Sequence, residues 1–482
     1  MDKAVKRIKS ALTKKEKITI FGDYDVDGVT SIYILTTLIE ELGGKVDYYI
    51  PHRLEEGYGL NKEAIAKIRG SGTELLVTVD CGINAFEEVN YAKELGLDVI
   101  ITDHHEPPEE RVPALAVINP KQNECKYRFT NLAGVGVAFK LGQGLVEDMF
   151  GEEASISYIE RFLDIVALGT VADIVPLIDE NRIMVKHGLN RLSVTSNIGL
   201  KALMKVAGIS KAQLDEDDIS FALAPRINAV GRMGQPEDGV ELLKSVNFEE
   251  AQTIARSLEN ENRIRKEMEA KVFEEAISLM EEQVNLDRER VIVIAGQEWH
   301  IGVVGIVASR ICDIYYRPVI LISLSEGEEG KASGRSIDGF NIYESLKATG
   351  DLLVRFGGHE YAAGLAIEAD KIDEFRDRIN EYAMKAMREE DLIPKLRMDT
   401  SIGLQDATLQ LVQELKALKP FGPENPSPIL SCFDLGILEY RRVGSDNSHL
   451  KLKVSDGDVS IDAIGFNMGH VVEELFQERG SI

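Results

Sequence analysis

The sequence predicts an α/β protein: two α/β domains, the first built on a mostly parallel sheet, joined by a long helix and followed by a C-terminal β region. Three observations carry this. Short β-rich runs alternate with helical patterns through the first half, as repeated β-α units require. Residues 248–290 hold no proline or glycine and are rich in Glu, Arg, Lys and Ala, which fits one long, solvated connecting helix. Beyond residue 391, the runs PILSCFDLGILEYRRV, HLKLKV and VSIDAIGF read as antiparallel strands.

Taken in order, MDKAVKRIKSALTKKEK is a short basic amphipathic helix. KITIF, VDYYI, ELLVTVD, DVIITD and ALAVIN are strands. They lack clean period-2 alternation, as expected when helices cover both faces. SIYILTTLIEEL, NKEAIAKIRG and FEEVNYAKELG fill the gaps as helices. From about 135 to 225 the pattern is helical: GVAFKLGQGLVEDMF, ISYIERFLDIVALG and NRIMVKHGLNRL. The second α/β unit starts at VIVIAG. It continues with a helix over IGVVGIVASRI, strands PVILIS and KASGRS, and helices near NIYESLKA and KIDEFRDRINEYAMKAM. The proline-rich KPFGPENPSP is a loop. The expected division is 1–247, 248–290, 291–390 and 391–482.

Size and composition bound the function. The 482 residues allow two or three domains, and 44% hydrophobic content is ordinary for a globular chain. No apolar run has membrane-spanning length and no signal peptide is evident, so no membrane partner is expected. Cys81, Cys125, Cys312 and Cys432 form no CxxC pair, which argues against disulfides or a zinc ribbon and for a reducing cytoplasm. A net charge of −26 argues against a non-specific nucleic-acid coat. A polyanion would have to bind in a local cationic groove or through metal ions.

Chemistry gathers at the strand ends. ITIF runs into Asp23, Asp25 and Asp27; LLVTV ends in Asp80; VIIT ends in Asp103-His104-His105. In an open parallel sheet, ligands bind beyond the carboxyl ends of the strands. Asp173, just past an apolar helix, is a fourth candidate. Taken singly, each feature has a bland explanation; Asp27 before Gly28 could simply cap a helix. Their joint placement points to a metal site. Carboxylates with histidine and no cysteine suit Mn²⁺ or Mg²⁺, and a shared carboxylate can hold two ions roughly 3.5–4 Å apart for phosphoester hydrolysis.

Asp25-Val26-Asp27-Gly28, Asp80 in VDCG, Asp103-His104-His105 and Asp173 resemble the four motifs of the DHH phosphoesterase superfamily. WHIGVVGIVASR, SGRS and RFGGHEYAAG resemble the associated DHHA1 domain. With PHRLEEGYGLN, PRINAVGR and KPFGPENPSP, the similarity runs over essentially the whole chain and points to the superfamily's single-strand-specific 5′-to-3′ DNA exonucleases. The resemblance implies that Asp25, Asp27, Asp80, His104 and Asp173 are metal ligands for two divalent ions, Mn²⁺ favoured over Mg²⁺, with Asp80 bridging. It implies that His105 faces the scissile phosphate and that Asp103 orients a histidine, so His105, Asp80 and Asp103 form the catalytic set. Phe21 stands where some superfamily members carry histidine, and Asp23 would support one ion from outside. The last region resembles the start of an OB-fold, a common platform for single strands, and is expected to be incomplete. Relatives also carry a segment before the position of Met1.

Arginine suits phosphate gripping, being always charged and bidentate. Arg53, Arg226, Arg232, Arg310 and Arg335 are candidates, with Arg53 and the two PRINAVGR arginines for a 5′-end phosphate. The resemblance adds Ser333, Arg335 and His359 as cleft-facing. Trp299 offers either a stacking face for a base, worth about 1–3 kcal/mol, or a packing side chain. The leading expectation is a metal-dependent single-stranded-DNA exonuclease of repair and recombination, monomeric, working with a helicase and a single-strand-binding protein. The alternative within the superfamily is a phosphodiesterase for short oligonucleotides or cyclic dinucleotides. A non-catalytic replication scaffold is disfavoured because every expected ligand except that at Phe21 is present.

Overall fold

The computed structural model describes residues 1–482 apart from 53–55, 58, 326–328, 474 and 476–482. It divides into two compact units, Met1–Pro394 with Gly422–Glu424, and Lys395–Phe421 with Asn425–Ile482. Among the described residues, no helix is long and apolar enough to cross a membrane.

Five parallel strands form the first sheet: β1 (Lys17–Gly22), β2 (Lys45–Tyr49), β3 (Thr73–Val79), β4 (Asp98–Thr102) and β5 (Ala116–Ile118), in the order β2-β1-β3-β4-β5. The order reverses between β1 and β3, which opens a crevice at their carboxyl ends. Leu75, Val77 and Val79 of β3 enter one core and Leu76 the other. Both faces are covered, which explains the unbroken apolar runs.

Register sets the rim. Gly22 of β1 pairs with Val79 of β3, Thr78 with Ile101 of β4, and Thr102 with Ile118 of β5. The next residues out, Asp23, Asp80, Asp103 and Asn119, therefore leave the sheet side by side.

The helix after β1 spans Val26–Glu41, five residues earlier than its apolar pattern suggests. Asp25, rather than Asp27, is its N-cap, accepting from Gly28 N at 3.0 Å. Gly28 is obligatory here, since a Cβ would sit 2.3 Å from Asp23 O. The stretch ISYIERFLDIVALG is two helices, Glu152–Glu160 and Leu163–Ala172, instead of one. PRINAVGR lies on a helix, Ala224–Met233, entered through a π-turn at Asp218–Leu223.

The long helix is Phe248–Gln283, capped by Asn247, and it ends seven residues before the expected 290. Ala251, Ala255 and Leu258 enter the first core; Val272, Ala276 and Met280 enter the second. The second sheet contains β6 (Ile292–Gln297), β7 (Val319–Leu324), β8 (Glu329–Arg335), β9 (Leu353–Gly358) and β10 (Ala362–Glu368), in the order β6-β7-β8-β10-β9. Only β6 and β7 run parallel. The glycine-rich RFGGHEYAAG forms the β9–β10 hairpin, where the sequence pattern predicts no strand.

The second unit, by itself, carries an antiparallel meander over Gly436–Val443, His449–Ser455 and Ser460–Gly465. It also has a helix at Leu409–Lys416, absent from the sequence-based expectation.

Candidate metal centre

The groups that leave the rim converge with Asp173, the C-cap residue of helix Leu163–Ala172. His104 Nε2 lies 3.0 Å from Asp80 Oδ1, 3.5 Å from Asp173 Oδ2 and 3.8 Å from Asp27 Oδ2. Three sets of possible ligand atoms each fall within 4.8 Å: Asp27, His104 and Asp173; Asp23, Asp25 and Asp80; and Asp80, His104 and His105. Asp80 and His104 each belong to two of them. The centre is dry. Asp23, Asp27, Asp80 and His104 are all buried, and Asp25 and Asp173 half-buried.

Local structure holds each group. Asp27 reaches across to the start of helix Gly134–Phe150, where Oδ2 accepts from Gly134 N (2.6 Å) and Oδ1 from Val135 N (2.7 Å). A Cβ on Gly134 would meet both Asp27 Oδ2 and Asp80 Cβ at 2.8 Å. Asp80 has φ 57, a left-handed backbone that turns it off the end of β3. Asp103 organises the next loop: Oδ1 accepts from the His104 and His105 amides and from His105 Nδ1 at 2.7 Å, and Oδ2 from Ile83 N. Asn119 Nδ2 donates to His105 O at 2.8 Å.

Burial and mutual repulsion shift the titration of these groups. Burial first, then the charge of Asp25, pushes Asp27 up to about 7. Burial and the charges of Asp27 and Asp25 push Asp173 up to about 9 and Asp80 well above the ordinary carboxylate range. Burial and the neighbouring His105 push His104 down to about 3, so its contacts with the carboxylates are not ion pairs. Burial opposes the charged form of His105, but the bond to Asp103 outweighs it and raises the imidazole; the same bond holds Asp103 below the ordinary range. His104 Nε2 and Asp173 Oδ2 are buried without a hydrogen-bond partner among the described residues. Such crowded, buried lone pairs fit divalent cations, and the oxygen-rich donor set with one imidazole fits Mn²⁺ or Mg²⁺.

The other candidates scatter. Ser333 Oγ accepts from Arg335 Nη1 at 3.0 Å on β8, and a Cβ on Gly305 would approach each side chain at 2.9 Å. His359 is exposed in the β9–β10 turn. Arg232 Nη1 donates to Gly302 O, tying the PRINAVGR helix to the start of helix Ile301–Tyr315. Arg226 is buried and paired with Glu259 of the long helix at 2.5 Å, so in this structure its charge is already matched. Arg310 stacks over the Phe273 ring at 3.8 Å. Arg53 lies outside the described residues. Of the two roles open to Trp299, the structure shows the packing one: it is buried in the second core, and its indole N–H donates to Glu275, so it presents no open face to a base. Phe21 is fully buried and stacks on Tyr49.

Sequence reasoning missed the Gly134, Val135 and Ile83 amides, and it missed Asn119. Asn119 was within reach, because it follows β5 as Asp80 follows β3. The amides carry no side-chain signal.

Residues 17–170 match the DHH family N-terminal domain, 288–385 the DHHA1 domain and 398–482 the RecJ OB domain. The chain is 43% identical over 477 residues to the single-stranded-DNA-specific exonuclease RecJ of Bacillus subtilis, covering 98% of this chain and 59% of that protein. It is 36% identical to the RecJ of Haemophilus influenzae, covering 97% of this chain and 84% of the relative. Among solved structures, RecJ in complex with Mn²⁺ from Thermus thermophilus matches with a TM-score of 0.81 at 31% identity, covering 96% of this chain and 68% of that one.

Proposed function

The chain belongs to the RecJ family of single-stranded-DNA-specific exonucleases, and from that premise we propose that it hydrolyses single-stranded DNA from the 5′ end with two divalent ions, in repair and recombination. The observation that carries this reading is the convergence of Asp27, Asp80, His104 and Asp173 on one largely buried spot at the topological switch of the first sheet.

In this reading, Asp27, His104 and Asp173 would hold one ion and Asp25 the other with Asp23 in support, and Asp80 would contribute to both. When bound, the ions would neutralise phosphate charge and lower the pKa of an attacking water, Mn²⁺ being favoured by the imidazole ligand. The chain's own residues do the rest. The Gly134 and Val135 amides fix both oxygens of Asp27. Asp103 fixes His105 through Nδ1, leaving Nε2 to carry the titrating proton. His105 is 39% exposed at its side chain against 3% for Asp80, so it can reach a phosphate oxygen at the mouth of the centre and hold a proton there. Ser333, Arg335 and His359 grip the backbone of the strand, and Arg53, Arg226 and Arg232 serve the 5′ phosphate, Arg226 only after release from Glu259. In this reading, a passage between the two α/β halves would admit one strand and exclude duplex. A helicase and a single-strand-binding protein supply substrate, and the enzyme acts as a monomer.

End-labelled single strands of graded length, digested with Mn²⁺, Mg²⁺ or EDTA, test this. Release of the 5′ label from a 30-mer, abolished by EDTA and absent on duplex, is expected. Cleavage of dinucleotides but not 30-mers would transfer the protein to the short-oligonucleotide reading.

A further inference from the structure

Ten described non-glycine residues have a left-handed backbone, and Ile174 (φ 59) is the one with a β-branched side chain. It follows the C-cap Asp173 of helix Leu163–Ala172, so it occupies the position where glycine is cheapest, because a Cβ, and above all a branched one, crowds the backbone there. Burial would ordinarily offset such a cost. Here it does not, since Ile174 is 73% exposed. A strained, solvated, large apolar residue is thus attached directly to a member of the metal centre.

Its location has a direction. Side-chain exposure is 1% at Asp27, 3% at Asp80, 20% at Asp173 and 39% at His105. The centre therefore reaches solvent at Asp173 and His105, as it does at the half-buried Asp25, and Ile174 stands beside one of these exposed edges.

We propose that Ile174 is a substrate-positioning residue: its side chain packs on the base or deoxyribose of the nucleotide whose phosphate lies over the carboxylates, independently of sequence. This rests on the exonuclease reading above. Strain persisting at a functional site fits a residue whose partner arrives with the substrate.

The test compares wild type with Ile174→Gly and Ile174→Val on a single-stranded oligonucleotide under saturating Mn²⁺, with thermal unfolding alongside. Glycine relieves the strain and removes the contact. Ile174→Gly should raise Tm by about one degree, the small shift that relief of a single left-handed residue gives in a chain this long. It should raise KM about tenfold with kcat nearly unchanged, the loss expected for one apolar contact. Ile174→Val should keep the wild-type KM. A merely structural role would move Tm and leave KM alone, so a KM for Ile174→Gly within twofold of wild type overturns the proposal. Failure of the wild type itself to cut single strands would instead overturn the reading beneath it, and the proposal with it.

Discussion

Asp103 makes four contacts with one carboxylate, three of them to the two histidines that follow it. That identifies it as the part that aims the loop. Asp103→Asn keeps the shape and removes the charge that raises His105. The imidazole pKa should fall, so activity that depends on protonated Nε2 should be lost at lower pH than in wild type. A drop of about 10–100-fold in kcat should accompany it. A pH profile of kcat under saturating Mn²⁺ checks this, and an unmoved basic limb would exclude His105 as the titrating group. Asp80 calls for a different substitution. Its left-handed backbone is tolerated better by asparagine than by alanine, so Asp80→Asn separates chemistry from strain. Activity should fall by about a hundredfold to a thousandfold while Tm holds or rises, since a buried, repelled carboxylate is gone. These acids were legible because strands deliver their next residue to one rim. The fate of Arg226 and Trp299 was not, because Glu259 and Glu275 come from a helix whose partners no local pattern names.

At the scale of elements, the long helix is the rigid member between two separate cores, buried at each end by small and apolar residues and exposed at Lys266 in between. Proline at 266 removes one backbone hydrogen bond and clashes one turn back, a cost of about 3 kcal/mol. Lys266→Pro should lower Tm and cut activity on single strands while far-UV circular dichroism stays close to wild type, because each core keeps its own contacts. Full activity in that variant would mean the two halves need no fixed spacing. The helix was readable from its lack of proline and glycine. The β9–β10 hairpin was not, since glycine and alanine have poor strand propensity and β10 is ordered by pairing with β8 and β9. There, tertiary pairing overrides local preference, and Gly358 is needed because a Cβ would lie 2.4 Å from Ala362 O.

The whole molecule carries a net charge of −26 and gathers several carboxylates, most of them buried, in one place. Both facts make pH and metal act together on stability. Asp27 at about 7, Asp173 at about 9 and the still-raised Asp80 hold protons that an unfolded chain, with carboxyls near 3.8, has already released. Between about pH 4 and pH 9 the native state therefore binds more protons than the unfolded one, and stability must fall as pH rises through that window. Divalent ions reverse this. They bind the carboxylate form, displace the protons and gain affinity as pH increases. At a hundredfold excess over Kd, an ion that ignores the unfolded chain adds about 2.7 kcal/mol. Thermal unfolding in EDTA should show Tm dropping from pH 5 to pH 9. With saturating Mn²⁺ the slope should flatten or invert, so the gap between the two curves widens with pH. Parallel curves would mean that the carboxylates are not the ions' ligands. Loss of that widening in Asp80→Asn would assign it to this centre rather than to the acidic surface.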